Sequence, residues 1–117
     1  MDDNLRMIDQ PLIEPDLIGF RRDHILNRHR FGAGKPGKTE FPSTWSDNKI
    51  LTEVNSVANS RVPFQANKYG VHKIGIKENI EIRVDFYPNN HPSYSGNVST
   101  AYPTNVAPNP PTPKTVP

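Results

Sequence analysis

The sequence predicts an α+β fold in which N-terminal helices pack on an antiparallel β-sheet. Three observations carry this. Residues 41–60, FPSTWSDNKILTEVNSVANS, space their apolar side chains as one helix face does. Residues 79–88, NIEIRVDFYP, alternate apolar and polar side chains strictly, as a strand with one buried face does. The helical signal comes first, the strand signals follow, and no internal repeat interrupts that order.

The elements follow in chain order. Residues 17–30, LIGFRRDHILNRHR, read as mostly helical, with Asp23 placed to cap a short helix starting at His24. Gly32 and Gly34 stop it, and Pro36-Gly37 marks a loop. In the next helix Ser46 is the expected N-cap, and Asp47 faces the positive helix end. Ile50, Leu51, Val54, Val57 and Ala58 form its apolar stripe, and Pro63 closes the region. Phe41 and Trp45 flank the helix start as core anchors. VHKIGIK (71–77) is the expected partner of the 79–88 strand. NNHPSYSG (89–96) is turn-rich and leads to a last strand, NVSTAYP (97–103).

The 117 residues suit one domain, here expected over 17–105 as a monomer. Residues 1–16 form an acidic segment containing Asp2, Asp3, Asp9, Glu14 and Asp16. Residues 106–117 form an extended, proline-rich tail that is expected to be dispensable. No cysteine is present, which excludes disulfides and thiolate metal sites. No apolar run approaches the ~20 residues that span a bilayer, and no secretory signal is visible at the N-terminus. No membrane insertion by this domain itself is expected.

Charge is uneven although the formal net charge is only +2. Residues 21–38 carry six bases (Arg21, Arg22, Arg28, Arg30, Lys35, Lys38) against Asp23 alone. Such a patch attracts polyanions such as RNA or DNA, unless the acidic N-terminal segment neutralises it.

His24 and His29 stand beside this patch. On a continuous helix, five residues turn through roughly 140°, which points the two rings apart. Helical metal sites place histidines at i and i+4, and no carboxylate lies between these two, so the pair argues against a metal site. If the helix ends near Arg28, the glycine-rich loop can turn His29 back towards His24. Two neighbouring imidazoles then suit general acid and base work near neutral pH. In the last strand Thr100 and Tyr102 share a face, while Ser99 and Ala101 point the other way. A hydroxyl and a phenol there can hold a phosphate or simply belong to an ordinary strand. Taken together, these residues fit RNA cleavage without a cofactor: one histidine takes the 2′-OH proton, the other protonates the leaving oxygen. Lys35, Lys38, Thr100 and Tyr102 are the candidate donors to the phosphoryl oxygens.

HILNRHRFGAGKPGKTEFPSTWSDNKI (24–50), followed by IEIRVDFYP and STAYPTN, resembles the bacterial EndoU nuclease domain. The resemblance covers roughly residues 24–109 and is strong over 24–58 and 98–105; residues 60–79 match poorly. It implies an RNase A-like fold and metal-independent RNA cleavage, often of tRNA, leaving a 2′,3′-cyclic phosphate. It implies catalytic roles for His24, His29, Thr100 and Tyr102, beside which Arg30, Lys35 and Lys38 of the basic loop are the expected substrate contacts. Eukaryotic relatives add a catalytic lysine, for which Lys73, Lys35 and Lys38 are candidates. Such domains end polymorphic toxins, including those of contact-dependent inhibition. The resemblance therefore implies export within a larger toxin, action in the target-cell cytoplasm and a cognate immunity protein. The bacterial RNase A-like toxins share a His-rich helix and a TAYP-like end, but GKPGKTEFP and WSDNKI favour EndoU.

His72, in a predicted strand, and His91, before Pro92 in a turn, are expected at the surface. Ser46 reads as a helix cap and not as a nucleophile. Two other functions remain open: a non-catalytic RNA-binding module, with salt-sensitive binding and no scission, and an interaction domain acting through the proline-rich tail.

Overall fold

The computed structural model describes residues 19–67, 70–88 and 97–111. The acidic segment 1–16, His91 and the last residues of the proline-rich tail, 112–117, lie outside them. The described chain runs α1 (Gly19–His29), α2 (Asp47–Ala58), β1 (Gln65–Asn67), β2 (Gly70–Lys77), β3 (Ile80–Phe86) and β4 (Val98–Pro103). The strands form one antiparallel sheet in the order β1-β2-β3-β4. This is the α+β arrangement expected.

α2 forms where its periodicity places it. Ser46 caps it, its Oγ accepting from the Lys49 backbone N–H at 3.1 Å. Ile50, Leu51, Val54, Val57 and Ala58 are all buried and pack on β2 and β3. The contact is close at Gly75, where a Cβ would lie 2.9 Å from Val57 Cγ2. Facing the stripe are Ile82 and Val84 of β3, both fully buried. Phe41 and Trp45 are core anchors as expected, stacked with centroids 5.6 Å apart.

β2 and β3 form a tight hairpin through Glu78 and Asn79, whose φ angles are +51° and +70°. Two left-handed residues match the right-handed twist of the paired strands. Beyond β4, the Thr104 backbone N–H donates to the Glu81 carbonyl, and Asn105 bonds Glu81 N–H and the Asn79 carbonyl. The chain leaving β4 is thus tied to the start of β3.

Three expectations need correction, and one strand lies outside them. α1 starts at Gly19, so Asp23 lies inside the helix and does not cap it. α1 also runs through His29, so the loop does not carry His29 back towards His24. β1 was not foreseen: three residues, Gln-Ala-Asn, are too few to show a period. His72 is buried, at 7 % exposure, because β2 is an interior strand and His72 pairs with Gln65 on one side and Asp85 on the other.

Candidate active site

Strand register decides which side chains reach the open face of the sheet. In β3, Ile82, Val84 and Phe86 turn to the core, which leaves Arg83 and Asp85 on the other face. Tyr102 pairs with Arg83 and Thr100 with Asp85, so all four share that face. A bulge makes this possible. Asp85 pairs with Thr100 but Phe86 pairs with Val98, which leaves Ser99 as the extra residue. Val98 and Ala101 can then both be buried while Thr100 and Tyr102 face outward.

The C-terminal half of α1 lies against β4. Ile25, Leu26 and His29 are its buried residues among those described. His24 lies off this stripe, four residues before Arg28, and is partly buried. On the helix circumference Arg28 falls on the arc between His24 and His29. A cleft of about 390 Å³ takes in that whole arc: His24, Arg28, His29, Gly37, Lys38, Thr39, Asp85, Thr100 and Tyr102 line it. The two histidines therefore meet one cleft despite their angular separation.

His29 is held from two sides. Its Nδ1 lies 2.8 Å from the Thr39 carbonyl oxygen. A carbonyl can only accept, so Nδ1 carries the hydrogen and Nε2 keeps its lone pair in the neutral ring. Its ring stacks on Tyr102, with centroids 5.4 Å apart and planes at 26°. Burial pushes the His29 pKa below its ordinary 6.5, against the lift from the Thr39 bond, and the positive charges of Lys38 and Arg28 push the same way as burial. Burial thus favours the uncharged imidazole near neutral pH. Burial, and then the Asp85 carboxylate, push the Tyr102 phenol above its ordinary value, so it stays a hydrogen donor. Asp85 itself is paired with Arg83 at 2.9 Å.

The loop between the helices is pinned. Thr39 Oγ1 donates to the Pro103 carbonyl at 2.6 Å, and the Phe41 backbone N–H to the His29 carbonyl at 2.7 Å. Glu40 accepts from the Gly32 and Gly34 backbone N–H groups at 2.9 and 2.7 Å, and from Asn109 Nδ2 at 2.9 Å. Those bonds, Asn109 first, hold its carboxyl below the usual range. Asn109 also donates through Nδ2 to the Lys35 carbonyl and through its backbone N–H to the Lys38 carbonyl, and accepts from the Gly37 N–H. Gly32, Gly34 and Gly37 all have positive φ in this loop, which glycine adopts without strain.

Of the residues singled out from sequence, His24, His29, Lys38, Thr100 and Tyr102 line the cleft. Lys35 does not; it lines an adjoining groove. Arg30 points elsewhere and pairs with Asp47 at the start of α2, at 2.8 Å. Lys73 is also remote from the cleft: its ammonium donates to the Ala58 and Ser60 carbonyls at 3.0 and 2.9 Å and caps the C-terminus of α2. Burial pushes its pKa down. Lys73→Met is expected to lower Tm by several degrees, because those carbonyls lose a donor worth about 1–3 kcal/mol. Any catalytic activity of the cleft should stay within about twofold; a hundredfold loss of kcat/KM with Tm unchanged would give Lys73 a catalytic role instead.

Sequence reasoning missed Arg28, Thr39 and Asp85 as lining residues, and Glu40 and Asn109 as their supports. Arg28 was within reach, being four residues from His24. Among the described residues, no three His, Asp or Glu side chains are grouped to hold a metal ion, and no helix is long and apolar enough to cross a membrane.

Searches of curated proteins and of solved structures gave no match to this chain. The family model described as bacterial EndoU nuclease matches residues 20–105, a span that holds the cleft residues of α1, of the pinned loop, of β3 and of β4. The chain belongs to the bacterial EndoU nuclease family.

Proposed function

We propose that this nuclease domain cleaves RNA, with tRNA as its target, by transesterification at the ribose 2′-oxygen. The observation that supports this most is the bond that commits His29 Nδ1 to the Thr39 carbonyl and leaves Nε2 to the cleft as the atom with the lone pair, in a ring whose burial favours the neutral form. His29 Nε2 takes the 2′-OH proton as O2′ attacks phosphorus. His24 gives a ring proton to the departing O5′. The products are a 2′,3′-cyclic phosphate and a 5′-hydroxyl, with the proton now on His29 and missing from His24. Exchange with water restores both. Lys38, Arg28, Thr100 and the Tyr102 phenol stabilise the charge that builds on the non-bridging oxygens. Lys38 fills the role that a lysine plays in eukaryotic relatives. No step of this scheme needs a metal ion.

Asp85 fits the same account. Its pairing with Arg83 lowers its repulsion of phosphate, and its charge favours the protonated phenol of Tyr102. As a member of this family the chain is proposed to serve as the effector part of a toxin delivered to competing bacteria. It would act in the target-cell cytoplasm and be neutralised in the producer by a cognate immunity protein.

The test is incubation of the purified domain with total tRNA and with single-stranded DNA of similar length, in EDTA. RNA should be cut and DNA left intact. Intact tRNA at high concentrations of folded protein would refute the proposal.

A further inference from the structure

Beside the cleft lies a smaller groove of about 240 Å³, lined by Arg28, Lys35, Pro36 and Lys38. Arg28 and Lys38 line both spaces, so the two form one continuous surface. Three of the groove's lining residues are cations, and no carboxylate lines it among the described residues. Other cations of this region are neutralised: Arg30 by Asp47, Lys49 by Glu53 and Glu78. Arg28, Lys35 and Lys38 have no ion-pair partner among the described residues. Glu40 is close in sequence, yet its two oxygens are turned to Gly32, Gly34 and Asn109.

Three like charges brought together repel one another, and a pinned loop keeps them together. Asn109 bonds the carbonyls of both Lys35 and Lys38, the two ends of the turn that forms the groove wall. The turn closes on itself through Lys38 N–H to the Lys35 carbonyl at 3.2 Å. The backbone that carries Lys35 and Lys38 is thus set beside Arg28 before any ligand arrives, and an anion in the groove relieves the repulsion of the three charges.

We propose that this groove is a second phosphate subsite. It holds a phosphodiester adjoining the scissile one along a single strand of RNA, with Lys35 as the contact that serves this phosphate alone. The proposal rests on the nuclease reading above. Arg28 and Lys38 are shared with the cleft, so Lys35 is the residue that reports on the groove. The consequence is a preference for substrates charged on both sides of the linkage being cut, and a salt dependence steeper than one phosphate contact produces.

The test uses a short deoxyoligonucleotide carrying a single ribonucleotide, made with each of the four bases at that position. In two further versions, the linkage 5′ or 3′ of the scissile one is a neutral methylphosphonate. Wild-type protein should lose roughly tenfold in kcat/KM when one of these two neighbours is neutralised. Lys35→Gln should already show that loss with the fully charged oligonucleotide, and neutralisation should then change its rate less than about twofold. Equal wild-type rates on all versions overturn the subsite. So does a Lys35→Gln protein that loses the same factor on neutralisation as the wild type. If folded wild-type protein cuts tRNA but none of the oligonucleotides, the comparison is made on tRNA, where Lys35→Gln should lose roughly tenfold in kcat/KM and a wild-type rate overturns the subsite; if it cuts neither, the nuclease reading itself fails and the subsite with it.

Discussion

His24→Ala and His29→Ala should each lower kcat/KM for RNA cleavage by roughly 10²–10⁴-fold, the usual contribution of a positioned acid or base. His24 is the cleaner test of fold, because it lies off the buried stripe of α1. His29 is 5 % exposed and stacks on Tyr102, so its removal also opens a small cavity. The pH profile separates the roles. A general base must be neutral to act, so in the proposed mechanism protonation of His29 switches it off. Burial holds its pKa below 6.5, so the acid limb of kcat/KM should have its midpoint below 6.5. A midpoint at or above 6.5 would argue that another group is the base. Stability carries the same sign. Between the folded pKa and 6.5 the unfolded chain binds a proton that the folded chain refuses. Stability therefore falls as pH drops through that window, and urea midpoints taken across it should follow.

Asn109→Ala should lower kcat/KM by about 10- to 100-fold while far-UV circular dichroism stays that of the wild type. Its side chain alone bridges the Lys35 carbonyl and the Glu40 carboxylate, two points of the loop that presents Lys38 and Thr39. Thr39 in turn orients His29 through its carbonyl. A displacement of about 1 Å in such a chain of contacts costs on the order of 10² in rate. Deleting 106–117 should cost at least as much, since it also removes the backbone bonds of Asn109 to Gly37 and Lys38. This reverses what the composition of the tail alone leads one to expect. Wild-type kcat/KM in the deletion variant would show that the loop holds its shape without Asn109.

The helices and the main strands were readable because their signals are local. The α2 stripe, the Ser46 cap and the β3 alternation each lie within one element, and each reappears residue for residue. Thr100 and Tyr102 could be placed on one face because strand parity needs no partner. What depends on distant pairing could not be read. Asn109 and Lys35 are 74 residues apart, and Thr39 and Pro103 are 64 apart. The Ser99 bulge exists only relative to β3, and Val98 shares the parity of Thr100 until the bulge moves it to the core. His72 looked like a surface residue because burial of β2 depends on β1, too short to be seen. Lys73 and Lys38 were equivalent as lysines; only the end of α2 and the position of the loop tell them apart. The histidine pair was found, but its geometry was misjudged. The cleft spans the arc from His24 to His29, with Arg28 between them, and no fold-back of the loop is needed.

The most direct test of the account is the chemistry of the new ends. A single-ribonucleotide substrate is cleaved in EDTA and the products are followed by ³¹P NMR. The account predicts a 2′,3′-cyclic phosphate resonance that grows as substrate disappears, a 5′-hydroxyl on the other fragment, and no reaction when that one ribose is 2′-deoxy. Products bearing a 5′-phosphate and a 3′-hydroxyl, or cleavage of the 2′-deoxy control, would contradict it.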